Sequence, residues 1–166
     1  MPISKTLKWY LNAQGVSYET LRHPYSRSSE ETADAAFIWE DQLAKTVLLE
    51  DERGYVLAVL PASHRVDLKK LEHELHRKLE LADENELSDL FPDCELGALP
   101  PLGRAYGIPT IYDDRLRKLA CIYFEGGDHR DLVYMGGPEF IGLLKDSPHG
   151  DLCESAGAQQ ARPATR

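Results

Sequence analysis

The stretch LAKTVLLEDERGYVLAVLP, Leu43 to Pro61, constrains the fold more than any other part of the chain. Two apolar runs flank Asp51-Glu52-Arg53-Gly54 and read as two antiparallel strands around a turn. Gly54 can supply the positive φ that such a connection often needs. On the first strand Leu43, Val47 and Leu49 share one period-2 face, and Lys45 falls on that same face. An unpaired ammonium buried among apolar side chains is expensive. A lysine at the mouth of a core, with its stem covered and its head in a pocket, costs much less. Two readings therefore stand for Lys45. It is either an edge-strand lysine that snorkels to water, or a cationic anchor for a phosphate or carboxylate at the rim of a core-lined pocket.

Spacing and capping signals predict the surrounding elements. Ile3, Leu7, Tyr10 and Leu11 recur at helical spacing, predicting an amphipathic helix that ends near Gly15. Residues 16–21 predict a short strand stopped by His23-Pro24. Ser28 and Glu31 stand at capping-box spacing before a second helix lined by Ala33, Ala36 and Phe37. Asp67 is a good N-cap for a third helix reaching about Lys78, with Leu68, Leu71 and Leu75 on its apolar side. Residues 79–82 read as a short strand, and Asp83 with Glu86 opens a short helix. Residues 108–112, 120–124 and 132–135 read as strands, the last two joined by EGGDHRD, and Pro138 suits the first turn of a final helix. From Ser147 the composition turns small and polar, so residues 1–146 read as one domain and 147–166 as a flexible tail. The order predicts an α/β fold: a mixed, largely antiparallel sheet or half-open barrel covered by helices.

Composition narrows the function classes. The formal charge of -9 argues against a nonspecific polyanion binder, and so against DNA, while leaving room for one small basic contact area. Cys94, Cys121 and Cys153 are odd in number and widely spaced, which suggests neither a disulfide framework nor a thiolate zinc site. No apolar run has membrane-spanning length and Pro2-Ile3-Ser4-Lys5 does not lead into a signal-peptide core, so the expectation is a cytoplasmic protein without a membrane partner.

Three further segments carry candidate chemistry. Between Cys94 and Gly107, CELGALPPLGRAYG reads as an ordered loop in which Pro100-Pro101 fixes two φ angles. It is either a rigid connector or a scaffold that aims backbone dipoles from Gly97 at a ligand. In GGDHRDL, Asp128, His129, Arg130 and Asp131 either decorate a hairpin turn or place His129 in a pocket. His64, Arg65, Lys69, Lys70, Arg77 and Lys78 form the strongest basic cluster, read as a solvated helix face or as a polyanion contact. His73 and His76 lie within the same solvated pattern, and EHELH is not a zinc-protease signature. No Gly-x-Ser-x-Gly elbow is present, and Ser28 and Ser29 read as helix-start residues.

LAKTVLLE, VLAVLPASHRVDLKKL, GALPPLG, IPTIYDD and IYFEGGDHRDLV, in this order and spacing, resemble the YbaK-like aminoacyl-tRNA deacylase family, also called the YbaK/prolyl-tRNA-synthetase-associated domain. The likeness runs from about Ile3 to Asp146. It implies a free-standing, trans-acting hydrolase that removes wrongly attached amino acids from tRNA, a tRNA(Pro) species among the candidates, without cofactor or metal. It also implies site residues: Lys45 as the family lysine, Gly97 and Pro101 as its Gly-to-Pro loop, and His129 as the histidine of the alanine-specific branch. Thr46 stands where that branch has asparagine, so the resemblance leaves alanine, cysteine, serine and threonine esters open. The implied partner is the acceptor end of an aminoacyl-tRNA, held by Lys45 with Arg65, Lys69 and Lys70, or delivered by a transient synthetase or elongation-factor contact. Thr46 and His129 would then face the aminoacyl group. The rival expectations are a noncatalytic tRNA- or protein-binding module on the same fold, and a small-molecule ester hydrolase.

Overall fold

The structure is a computed structural model that describes residues 3–155. Four of the five α-helices among the described residues begin where a side chain satisfies otherwise unpaired backbone N–H groups. Helix α1 (Lys5–Gln14) is capped by Ser4, whose hydroxyl accepts the Leu7 N–H at 3.0 Å, and buries Leu7, Tyr10 and Leu11. Helix α2 (Ser29–Ala36) is capped by Ser28, which accepts the Glu31 N–H at 3.1 Å. The Glu31 carboxylate reaches back to the Arg27 N–H, at 2.8 Å, one residue before the cap. Phe37 closes this helix in the left-handed conformation and is 96% exposed, so it is a terminator and not the core residue that its spacing predicts. Helix α3 (Leu68–Leu75) starts at Asp67 as expected but stops at His76, short of Lys78. Arg77 turns away to the hairpin, where its Nε donates to Asp51 at 2.7 Å, and Leu79 enters the core. Helix α4 (Glu84–Leu90) carries the full reciprocal capping box of Asp83 and Glu86, and α5 (Gly137–Leu143) has Pro138 in its first turn.

Eight strands form one mixed sheet. They are β1 (Glu19–Arg22), β2 (Leu43–Asp51), β3 (Gly54–Pro61), β4 (Glu80–Leu81), β5 (Thr110–Asp113), β6 (Cys121–Glu125), β7 (Asp131–Gly136) and β8 (His149–Gly150). The spatial order is β1-β7-β6-β2-β3-β5-β8, with β4 added to β2. The β1–β7, β6–β7, β2–β3 and β2–β4 pairs are antiparallel, while β2–β6, β3–β5 and β5–β8 are parallel. The hairpin read from Leu43 to Pro61 is thus the centre of the sheet, paired from Ala44↔Pro61 to Asp51↔Gly54.

Both faces of this central hairpin are covered, which revises the reading of Lys45. The main core takes the even-numbered residues of β2, Ala44 and Leu48, with Leu57, Val59, Phe124 and Phe140. The odd-numbered face, where Lys45 falls, packs Leu49 with Leu71 and Leu152 at one end, and Leu43 with Ala33 and Leu132 at the other. Lys45 lies between these two satellite clusters, on the face away from the main core.

The domain boundary placed at residue 147 falls inside the fold. Residues 149–150 form β8, and Leu152 and Cys153 are fully buried. Asp113 accepts the Leu152 N–H at 2.8 Å, Leu152 O accepts the Asp67 N–H at 2.7 Å, and Glu154 N–H donates to Arg65 O at 2.8 Å. Small polar residues disguise this segment because a few side chains and main-chain bonds do the anchoring. The remainder of the predicted tail, 156–166, lies outside the described residues. Leu152→Ala should therefore cost about 2–4 kcal/mol in urea denaturation. Truncation after Asp146 should lower stability at least as much, whereas a chain ending there with full stability would restore the sequence-derived boundary.

Candidate functional site

The site arises where the central ladder opens. The parallel pairing of β2 with β6 covers only Leu43↔Tyr123 and Ala44↔Phe124, and the pairing of β2 with β4 begins at Leu49. Between them one edge of β2 has no strand beside it among the described residues. Leu43 O accepts the Ala62 N–H at 2.7 Å on the β3 side, and Leu48 O accepts the Ala82 N–H at 3.0 Å on the opposite side. Bonding direction alternates along an antiparallel strand, so the Thr46 N–H and C=O point into the gap. The next unmade register pair of the β2–β6 ladder is Lys45 with Glu125.

A cavity of about 230 Å³ fills this gap, lined by Arg27, Ser28, Ser29, Ala44, Lys45, Thr46, Leu87, Gly97, Leu99 and Glu125. Lys45 and Gly97 thus share one wall-to-wall space. The loop bearing Gly97 is tied to the β6–β7 turn: Glu95 N–H donates to Gly127 O at 2.7 Å, and the His129 ring Nε2 bonds Leu96 O. Gly97 has φ 84, and a Cβ there would stand 3.0 Å from His129 Cε1 and 3.4 Å from Arg27 O. Both backbone conformation and space therefore require glycine. The Thr46 hydroxyl lies 3.5 Å from Leu99 O, at the far limit of a hydrogen bond.

The predicted residues divide into wall, support and periphery. Lys45, Thr46 and Gly97 line the cavity. His129 is buried behind Gly97, with its ring 5.4 Å from that of Tyr25, and is not on the wall. Pro101 is buried within the loop, also off the wall. Arg65 is exposed, and its charge acts on Lys45. Lys69 is exposed on α3. Lys70 Nζ donates to Asp151 at 2.8 Å and to Cys153 O at 2.7 Å, so it fastens the segment after β8. Among the described residues no cluster of three or more His, Cys, Asp or Glu is arranged to hold a metal.

Glu125 is the cavity residue that the sequence did not disclose. It ends the strand CIYFE, where one carboxylate in an apolar strand looks like a solvated terminus, yet it is only 7% exposed. Thr32 Oγ1 donates to Glu125 Oε1 at 2.8 Å, and Ser26 pairs with Thr32 at 2.6 Å. Burial pushes the Glu125 carboxyl up to about 7; the Thr32 bond opposes this, and the negative charges of Asp128, Asp131 and Glu95 add to it. Burial also lowers the Lys45 ammonium from its ordinary value. Ser28 caps α2 and Ser29 is its first residue, as predicted, and the same placement puts both on the cavity wall.

A larger hollow of about 960 Å³ lies at the far edge of the sheet, under Tyr112, Arg117, Lys145 and His149. Several of its polar groups are already paired: Arg117 donates to Tyr112 at 3.3 Å and lies 3.1 Å from His149, whose Nδ1 is 2.6 Å from Asp114. Size alone does not make it the reactive site. The smaller cavity combines a half-buried ammonium, a buried carboxyl and backbone dipoles turned inward.

The family model of the aminoacyl-tRNA editing domain matches residues 23–143, which include every cavity residue. Among solved structures, a "putative trans-editing enzyme for prolyl tRNA synthetase" superposes with TM-score 0.79 at 24% identity, over 91% of this chain and 96% of that one. A hypothetical protein gives TM-score 0.80 at 21% identity, over 90% and 100% of the two chains. A "Putative signal transduction protein" from Marinobacter aquaeolei VT8 gives 0.75 at 22% identity, where 92% of this chain corresponds to 31% of that one. These likenesses establish the mixed α/β fold.

The raised Glu125 carboxyl has a consequence for stability. Its stabilising contribution is full below about pH 4.5, the ordinary value, where the neutral acid prevails in both folded and unfolded chains, and is lost as pH rises through about 7. Glu125→Gln keeps an acceptor for Thr32 and removes the buried charge. Relative to the parent, this variant should gain up to about 3 kcal/mol between pH 4.5 and pH 8. Denaturant titrations of both proteins at the two pH values measure it, and a pH-independent difference would contradict the burial of the ionised group.

Proposed function

Because this chain belongs to the aminoacyl-tRNA editing domain family, we propose that it hydrolyses the ester joining a wrongly attached amino acid to the 3′-terminal adenosine of tRNA. The observation that carries this reading is the convergence of Lys45, the Thr46 main chain and Gly97 on one cavity inside the split sheet. An aminoacyl ester is already activated, so the site needs no nucleophilic side chain. It needs a positioned water, donors for the oxyanion and a fixed ester. The Thr46 N–H and the Gly97 main chain supply dipoles that do not reorganise during the reaction. Lys45, partly desolvated, holds the terminal phosphate and screens developing negative charge.

The supporting roles follow from placement. His129 acts as a positioning residue: its ring sets how far the Gly97 loop can settle, and its bond to Leu96 O holds that loop to the β6–β7 turn. Pro101 restricts the same loop from the other end. Arg65 and Lys69 are exposed and serve the acceptor strand, whereas the Lys70 amine is committed to Asp151. Tyr25, half-exposed beside His129 with Arg130 5.4 Å from its ring centre, offers the terminal bases a stacking surface. A contact this small suits a chain of net charge -9, whose remaining surface repels polyanions. The likeness to the trans-editing structure makes tRNA(Pro) the first tRNA body to test.

Deacylation of Ala-, Ser-, Thr- and Cys-charged tRNA, with tRNA bodies exchanged, tests the reading. Lys45→Ala should lose about a hundredfold in rate on whichever ester is cleaved, with its unfolding transition retained. Parental turnover by that variant would remove the assigned role, and saturable binding without hydrolysis across the panel would make the protein a noncatalytic module. Gly97→Ala should also fall at least tenfold in rate, since the loop must shift away from His129 to admit the methyl group.

A further inference from the structure

We infer that Glu125 receives the α-ammonium group of the aminoacyl moiety, so that the site selects esters of unblocked amino acids and rejects N-acylated ones. This inference rests on the hydrolase reading and specifies its substrate class. Glu125 lines the cavity and is 7% exposed. Thr32 occupies its Oε1, and its Oε2 has no hydrogen-bond partner among the described residues. Buried carboxylate oxygens nearly always carry a partner, whether protein, ordered water or ligand, so Oε2 stands available to an incoming donor. His23 does not fill the vacancy: its Nδ1 donates to Pro24 O at 2.7 Å, and its Nε2 stands 3.8 Å from Oε1.

The charge pattern agrees with the chemistry of the ligand. Lys45 and Glu125 occupy the next unmade register of the β2–β6 ladder, yet they form no ion pair with each other. The cavity therefore keeps the Lys45 ammonium and the Glu125 carboxyl apart on its wall, with Arg27 as a second cation. An aminoacyl-tRNA end carries the complementary pair, a phosphodiester on the nucleotide side and an ammonium on the amino acid. Asp128, Asp131 and Glu95 add negative potential around Glu125, which favours a cation there. At about 230 Å³, the cavity has the scale of a small aminoacyl group. N-acylation abolishes the cation and adds bulk beside Glu125.

The experiment compares free and N-acetylated forms of the same Ala-, Ser-, Thr- and Cys-charged tRNAs. In parallel, 3′-alanylamino-3′-deoxyadenosine and its N-acetyl derivative, whose amide link resists hydrolysis, are titrated as binding probes. The parent should favour the free amine at least about tenfold in kcat/KM and in Kd. Glu125→Gln should bring the two forms within about threefold, and Glu125→Asp should retain part of the preference. A purely structural role would lower both forms together and leave their ratio unchanged. Equal treatment of both forms by the parent, or an undiminished preference in Glu125→Gln, overturns the inference while leaving hydrolysis standing. Amine-selective binding without turnover supports the role of Glu125 and overturns the hydrolase. Neither binding nor turnover overturns both.

Discussion

The separation of β2 from β6 after Ala44 is the constraint on which the rest of the site depends. A parallel ladder that continued would pair the Thr46 main chain, bring Lys45 against Glu125 and close the cavity. Because it stops, a central strand of the sheet presents backbone dipoles without a strand partner among the described residues. The opening is held from both ends. The β2–β4 pairing resumes at Leu49, and the Gly97 loop is fastened to the β6–β7 turn through Gly127 and His129. Preorganisation here comes from sheet topology and not from a motif of neighbouring residues.

The same opening sets a conflict between stability and recognition. A carboxyl buried to 7% exposure with one oxygen unsatisfied destabilises the folded chain whenever it is ionised. Lys45 resists ionisation on the opposite side for the same reason. Apolar packing on both faces of the hairpin, with Ala44 and Leu48 in one cluster and Leu43 and Leu49 in two others, offsets these costs. The segment around Leu152 matters in this context, because it completes one of the clusters flanking Lys45.

Net acidity and a polyanionic substrate are compatible when contact is confined. Arg27 on the cavity wall and exposed Arg65 beside Lys45 give local positive potential. Other cations are spent within the fold: Arg77 on Asp51, Lys70 on Asp151, and Arg115 on Asp113 and Asp151. Counting basic residues therefore overstates the surface that a tRNA would meet.

Local chemistry made much of this protein legible in its sequence. Capping residues Ser28, Asp67 and Asp83, the Gly54 turn and the alternation along Leu43–Asp51 act within a few positions of themselves, so they can be read without coordinates. Lys45 and the Gly97 loop were legible for a related reason: an ammonium in an apolar strand and a glycine beside a double proline each break a local pattern. Tertiary structure alone decided the rest. Phe37 obeys helical spacing and still faces water, and residues 147–155 are polar and still ordered, because burial depends on what the remainder of the chain places opposite them. Glu125 reads from sequence as the first residue of the EGGDHRD connection, and only Thr32, His23 and the split sheet enclose it, since a carboxyl becomes chemically distinctive only through the neighbours that exclude water from it.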